Sequence, residues 1–320
     1  MADRILSRII GNTRNFLDAR ASSAPGLSAL AAALLCTALA FFASACAEHP
    51  GDANADGYAS SGDAISAQSR DAAPAPRGDG SPVLIELFTS QGCSSCPPAD
   101  RVLSLLRQTG QVDGVPIIVL SEHVDYWNRL GWKDPYSSGI FSERQTRYAR
   151  SISRSNRIYT PQMVVDGQEE FVGHNLRRAT AAVRRAATRA RNQLKIRLSN
   201  SNAAKSSAAS SGETRVTASV NIQSLKADAR GLPDLAQLDL VYAISEDGLS
   251  DDVSRGENHG RTLNHDGVVR ALRRQPAQAG KQTINLPFAK GWAKQNAHVV
   301  AWLENRERRS VHGAVTASLK

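Results

Sequence analysis

Residues Val83–Phe88 are apolar except for Glu86, and Cys93-Ser94-Ser95-Cys96-Pro97-Pro98 follows them at once. That spacing reads as a buried strand running through a short turn into a helix. The two prolines suit the first helical positions, where a missing N–H costs little. Two cysteines separated by two residues at such a junction can open and close a disulfide reversibly. The unpaired N–H groups and dipole of a helix start favour a thiolate on the first cysteine. The same spacing can also supply half of a zinc site. The rest of the chain has to separate the two readings.

The cysteine count does much of that work. The chain has 320 residues and four cysteines. Four arginines precede or border the apolar run Leu27–Phe42, and Ala43-Ser44-Ala45 supplies small residues suited to cleavage. The run is roughly 16 residues long, short of the ~20 that a spanning helix needs. Residues 1–46 therefore read as an export signal, and Cys36 leaves with it. Cys46 follows Ala43-Ser44-Ala45 as in a bacterial lipoprotein signal, although Ala43 replaces the expected leucine, so lipid attachment there is the alternative to simple cleavage. Cys93 and Cys96 remain. An exported chain with only this pair is not using cysteine to staple its fold, and it lacks the second pair of a four-cysteine zinc site. The formal charge of +9 accompanies no nucleic-acid-binding motif, so it reads as a solvated basic surface.

Residues 47–81 are rich in Ala, Gly, Ser, Asp and Pro and read as a flexible tether. From residue 82 to 198 the pattern alternates. Strands are expected at Val83–Phe88 and Val115–Leu120, with a helix at Pro97–Thr109. A second helix is expected at Phe141–Asn156, capped by Ser142. Gln162–Asp166 and Glu170–Val172 read as a hairpin turning at Asp166-Gly167. A long arginine-rich helix is expected over Leu176–Leu198, its arginines a solvated face rather than an anion site. The order β-α-β-α-β-β-α is that of a thioredoxin fold. Ser199–Glu213 is low-complexity and reads as a linker. Beyond it, alternating segments at Thr214–Ile222, Leu238–Ser245, Gln282–Leu286, His298–Leu303 and Ser310–Ser318 suggest a β-rich, sandwich-like domain or lobe over 214–320. The fold class expected is α/β, a thioredoxin-like domain followed by that β-rich part.

In the redox reading Cys93 is the nucleophile, exposed at the helix start, and Cys96 resolves the mixed disulfide. The hydroxyls of Ser94 and Ser95 lie where they can stabilise the thiolate. Thr160-Pro161 precedes the strand QMVVD, at the point where a thioredoxin fold carries a cis-proline facing the disulfide. Glu86 is a candidate proton acceptor for Cys96. Strand alternation, however, turns it to the face of Leu84 and Phe88, which favours a salt-bridged glutamate. His123 could join Cys93 and Cys96 in a copper or zinc site. The competing expectation is that His123, Asp125, Trp127 and Trp132 form a polar-aromatic loop over the cysteines. Residues 255–266 are dense in functional side chains. His259, His265 and Asp266 could bind metal, but a loop held by its own hydrogen bonds is the favoured reading.

The segments VLIELFTSQGCSSCPPAD, SEHVDYWNRLGWKDP, YTPQMVVDG and RGENHGRTLNHDGVVRAL together resemble an uncharacterised family of secreted bacterial proteins, domain of unknown function 1223. The resemblance spans about Pro82 to Leu319. It implies a thioredoxin-like fold and export, carries over Cys93, Cys96 and Pro161, and implies no activity. The function expected from the residues is an exported thiol–disulfide oxidoreductase acting on protein or small-molecule thiols and disulfides. It needs no cofactor and no nucleic acid, and touches a membrane only through lipid at Cys46. The alternatives are a non-catalytic binding or assembly protein on the same scaffold, and a copper- or zinc-binding envelope protein.

Overall fold

The computed structural model describes residues 80–201, 214–222 and 232–319. The export signal, Cys46 and the tether up to residue 79 lie outside the described residues, as does most of the expected linker. Three helices and fourteen strands are present among them.

The elements run β1 (Val83–Thr89), α1 (Pro97–Thr109), β2 (Gln111–Val112), β3 (Val115–His123), α2 (Gly139–Ser151), β4 (Gln162–Val165), β5 (Glu169–Val172) and α3 (Leu176–Ala187). Strands β6 (Leu194–Ser201), β7 (Thr214–Ile222), β8 (Leu238–Glu246), β9 (Leu249–Val253), β10 (Arg261–His265), β11 (Val268–Pro276), β12 (Gly280–Phe288), β13 (Ala297–Asn305) and β14 (Val311–Ser318) follow. One mixed sheet carries the order β14-β13-β8-β11-β3-β1-β4-β5. Within it β1 and β3 are parallel, while β4 and β5 are antiparallel to their neighbours. The parallel pair lies inside the sheet, which is why both strands read as nearly continuous apolar runs.

Alternation along the strands builds three cores on two faces. Val83, Ile85 and Leu87 face α1 and α3. Leu84 and Phe88 face the other way, onto Phe141 and Tyr148 of α2, and share a core with Val241, Val300 and Trp302. Leu240, Tyr242 and Ile244 of β8, on the first of these faces, pack under a second sheet ordered β12-β7-β6.

Several expectations are corrected. The region 214–320 does not close on itself, because β11 pairs in parallel with β3 and carries β8, β13 and β14 into the same sheet as β1. A two-sheet packing exists there, but one of the sheets is shared with the first half. The third helix stops at Ala187, and the stretch expected as its end becomes strand β6, pairing with β7. Tertiary pairing overrides weak helix propensity at that end. Arg191 thereby leaves the solvated face and ion-pairs with buried Asp166. On the helix, Arg184 and Arg185 pair at the surface with Asp113 and Glu169. The second helix begins two residues early. Ser138 Oγ accepts from the Ile140 N–H as its cap, and Ser142 Oγ instead donates to Asp125 at 2.5 Å.

The β4–β5 turn falls at Asp166-Gly167 as expected, with φ of 51° and 63°. A Cβ built on Gly167 would lie 1.9 Å from the Arg309 carbonyl oxygen. Gly167→Ala is therefore expected to cost about 2 kcal/mol, through the left-handed backbone and a clash that moves main chain. Urea unfolding at neutral pH measures it, and a loss within 0.5 kcal/mol, the scale of neutral surface changes, would contradict the close approach.

Candidate disulfide site

Cys93 and Cys96 form a disulfide with Cα atoms 5.4 Å apart. Cys96 is the residue before α1, and Pro97 and Pro98 occupy its first turn. The Cys93 Sγ lies 3.4 Å from Ser95 Oγ, so one of the two expected hydroxyls reaches the sulfur. One expectation fails: Cys93 is not exposed. Both cysteines have 0% exposure, and only Ser94 and Ser95 of the motif face solvent.

The cover comes from several segments. The Trp127 Cβ would lie 3.2 Å from a Cβ on Gly92, and Trp127 Nε1 donates to Thr160 Oγ1 at 2.8 Å. Trp127 thus spans from the residue before Cys93 to the residue before Pro161. The Thr160–Pro161 peptide is cis. Pro161 Cβ and Ala99 Cβ both lie within 3.6 Å of the point a Cβ on Gly173 would take. That brings Pro161 beside the first turn of α1.

A second layer centres on Gln91. Its Oε1 accepts from Trp132 Nε1 at 2.9 Å, and its Nε2 donates to Asp251 at 2.8 Å. With Oε1 occupied, the contact between Gln91 Nε2 and His265 Nε2 at 3.3 Å has the amide as donor. The His265 proton then sits on Nδ1, 3.9 Å from Asp100 Oδ2. The backbone N–H of Gln91 donates to Asp134, whose carboxylate also bonds His123 Nδ1 at 2.7 Å. The rings of His123 and His265 meet edge to face at 4.7 Å.

Burial sets the charges in this cluster. It pushes the Asp100 carboxyl up to about 7, against the fields of His123 and Arg101. It pulls His265 down to about 3, with the neighbouring His123 adding to the shift. Burial also opposes a charged His123, but the Asp134 carboxylate outweighs it and raises that imidazole. Asp134 is lowered in turn, because His123 and the N–H groups of Gln91 and Tyr136 overcome its burial. The result is a His123–Asp134 pair in which each partner favours the other's charged form, beside a His265 held neutral and an Asp100 that titrates near neutrality. Asp100 Oδ1, His123 Nε2 and His265 Nδ1 are buried without hydrogen-bond partners among the described residues.

The expected members of the site divide accordingly. Cys93, Cys96, Thr160, Pro161, Trp127 and Trp132 come together. His123 is nearby but engages Asp134 and His265. Among the described residues no group of histidines, cysteines and carboxylates converges closely enough to hold a metal ion. Asp125 turns away to Ser142. Glu86 lies on the opposite face, bonded to Arg144 and Tyr148, so it is the salt-bridged glutamate that strand alternation implied. Sequence reasoning missed Gln91, Asp100 and Asp134. Asp100 carried the one usable signal, a carboxylate one helical turn after Cys96.

Of the stretch 255–266, Arg261–His265 form strand β10 and the residues before them close the β9–β10 hairpin. The turn is held by its own hydrogen bonds, as expected, and it bonds the cysteine loop as well. Asn258 Nδ2 donates to the carbonyls of Gln91 and Cys93, each at 2.9 Å, and the Ser94 N–H donates to Glu257 at 3.0 Å.

A family profile described as "Protein of unknown function (DUF1223)" matches residues 84–304. The chain belongs to this family. The match runs from β1 into β13, so it takes in the disulfide site and the shared sheet. The crystal structure of protein AGR_C_4864 from Agrobacterium tumefaciens is similar at 26% identity and a TM-score of 0.51, covering 74% of this chain and 94% of that one. HBP35 of Porphyromonas gingivalis is similar in fold, with 14% identity and a TM-score of 0.50 over 74% of this chain and 75% of that one. No curated protein matches this chain.

Proposed function

We propose that this chain is an exported thiol–disulfide oxidoreductase whose amino-terminal half has a thioredoxin-like fold. The observation that carries the reading is the convergence of three features at one helix start: the Cys93–Cys96 disulfide, Ser95 Oγ on the Cys93 sulfur, and cis-Pro161 beside the first turn of α1. The strand order β3-β1-β4-β5, with helices on both faces, supports the fold assignment. Export rests on the arginine-flanked apolar run within residues 1–46.

In the exchange step a partner thiolate attacks Cys93 Sγ. The S–S bond breaks, and its electron pair leaves on Cys96 Sγ. A second partner thiolate attacks the mixed disulfide, giving the partner disulfide and a Cys93 thiolate. The reverse sequence oxidises a partner dithiol. Either direction moves protons at a buried site. Asp100, one turn beyond Cys96 and titrating near 7, is the group suited to hold one.

Cys96→Ser tests the reading. Incubated with a disulfide-bearing peptide, this variant is expected to accumulate a mixed disulfide at Cys93, detectable by mass spectrometry, whereas the pre-reduced wild type releases the reduced peptide as its own Cys93–Cys96 disulfide forms. Absence of any mixed disulfide would sink the enzyme reading. The full burial of both cysteines favours a second reading, a binding or assembly protein whose disulfide braces the loop. That reading requires Cys93→Ser to lose stability and Cys96→Ser to trap nothing.

A further inference from the structure

The hydrogen bonds that reach the cysteine loop from the β9–β10 hairpin form a complementary set. Asn258 donates to two main-chain carbonyls, those of Gln91 and Cys93, and Glu257 accepts from the main-chain N–H of Ser94. One donor to loop carbonyls and one acceptor on a loop N–H are what an extended peptide backbone would offer the same loop. Asn258 has 0% exposure although it sits at a hairpin turn, because it is inserted against the disulfide loop. Its Oδ1 is held by Arg261 at 2.9 Å, and the Gly260 N–H to Val253 carbonyl bond closes the hairpin beneath it. Glu257, in contrast, is exposed at the rim.

We propose that the turn 254–260 is a gate over the Cys93–Cys96 pair, and that Asn258 and Glu257 hold the backbone-bonding positions of a cysteine-bearing peptide substrate. The proposal rests on the exchange reading above and names its substrate class. With both sulfurs at 0% exposure, no thiol reaches Cys93 until something moves. The turn is bonded to the cysteine loop by three side-chain hydrogen bonds, which solvent or substrate can replace without unfolding the sheet. A small thiol must wait for the turn to open. A peptide can offer its own N–H and C=O groups to the loop as it enters, and so lowers the cost of opening.

The test measures reduction of the pair by dithiothreitol, and by a blocked, unstructured peptide carrying one cysteine, in the full chain. Loss of one hydrogen bond to the loop changes an opening equilibrium about five- to tenfold. Asn258→Ala is thus expected to speed reduction by dithiothreitol about tenfold or more, and Glu257→Ala about fivefold. The wild-type rate should saturate with peptide concentration but stay proportional to dithiothreitol. Because Glu257 is exposed, its variant keeps the test valid even if Asn258→Ala folds poorly. Wild-type rates in both variants, with the mixed disulfide still trapped in Cys96→Ser, would overturn the gate alone. A peptide rate that is linear would overturn the peptide-bonding role. No mixed disulfide at Cys93 in Cys96→Ser, alone or combined with either substitution, would overturn the exchange reading itself.

Discussion

Arg144→Met is expected to destabilise the folded chain by about 3–5 kcal/mol, the cost of leaving buried carboxylates without their cation. The Arg144 side chain is 4% exposed, and it donates to Glu86 and Glu304 at 2.6 Å each and to the Tyr148 hydroxyl. Its guanidinium also lies over the rings of Tyr148 and Trp302. Burial opposes the charge on Glu304, but Arg144 and Arg274 overcome it and hold that carboxyl low. Glu122 is 3.3 Å from Arg144 yet goes the other way. Burial first, and then the Glu86 charge, push its carboxyl well up, toward the neutral form. Glu122→Gln should therefore cost less than about 1 kcal/mol, since it puts a neutral amide of the same shape where the surroundings disfavour a charge. Urea denaturation at pH 7 checks both, and equal losses would contradict the charge assignment. The network matters beyond its energy, because Glu86 is on β1 and Glu304 on β13. Arg144 on α2 thus joins the two halves of the chain across the shared sheet.

Asp100→Asn is expected to change how stability depends on pH. The folded-state pKa of Asp100 is raised from 3.8 to about 7. A raised carboxyl stabilises the folded state fully below its unfolded value, and that contribution is lost as the pH rises through about 7. Asparagine cannot ionise, so the variant should gain stability relative to wild type by about 2–3 kcal/mol between pH 5 and pH 8 (~1.4 kcal/mol per pH unit of the window). His265 acts in the opposite sense. Its pKa is lowered to about 3, so its contribution is present above 6.5 and is lost as the pH falls toward 3. That term is common to both proteins and drops out of the difference. Parallel urea curves at the two pH values measure the effect, and a pH-independent difference would mean that Asp100 is charged throughout. The same variant is also informative under the exchange reading, because it removes the carboxyl suited to hold a proton beside Cys96.

The first half of the chain was legible where local rules decide the structure. The run 83–88 had to be a doubly buried strand, and Pro97-Pro98 had to open a helix, which ends at Thr109 as the pattern indicated. Strand alternation turned Glu86 away from the cysteines before any contact was known. Legibility failed where an outcome depends on distant partners. Leu194–Ser201 has no local feature that separates a helix end from a strand, and its pairing with β7 decides. Strands β9, β10 and β11 were missed because charged residues and glycines break their alternation. They form because β11 finds β8 and β3 and because β10 finds β9.

By itself the sequence determined that one cysteine pair sits between a buried strand and a helix, with Thr160-Pro161 before a later strand, because spacing and periodicity are local properties of a chain. Only the tertiary structure decided whether that pair is open to solvent. Burial depends on what the far half of the chain brings over it. The β11–β3 pairing carries the β9–β10 hairpin to the end of α1, where Asn258 and Glu257 bond the loop that the sequence alone left exposed.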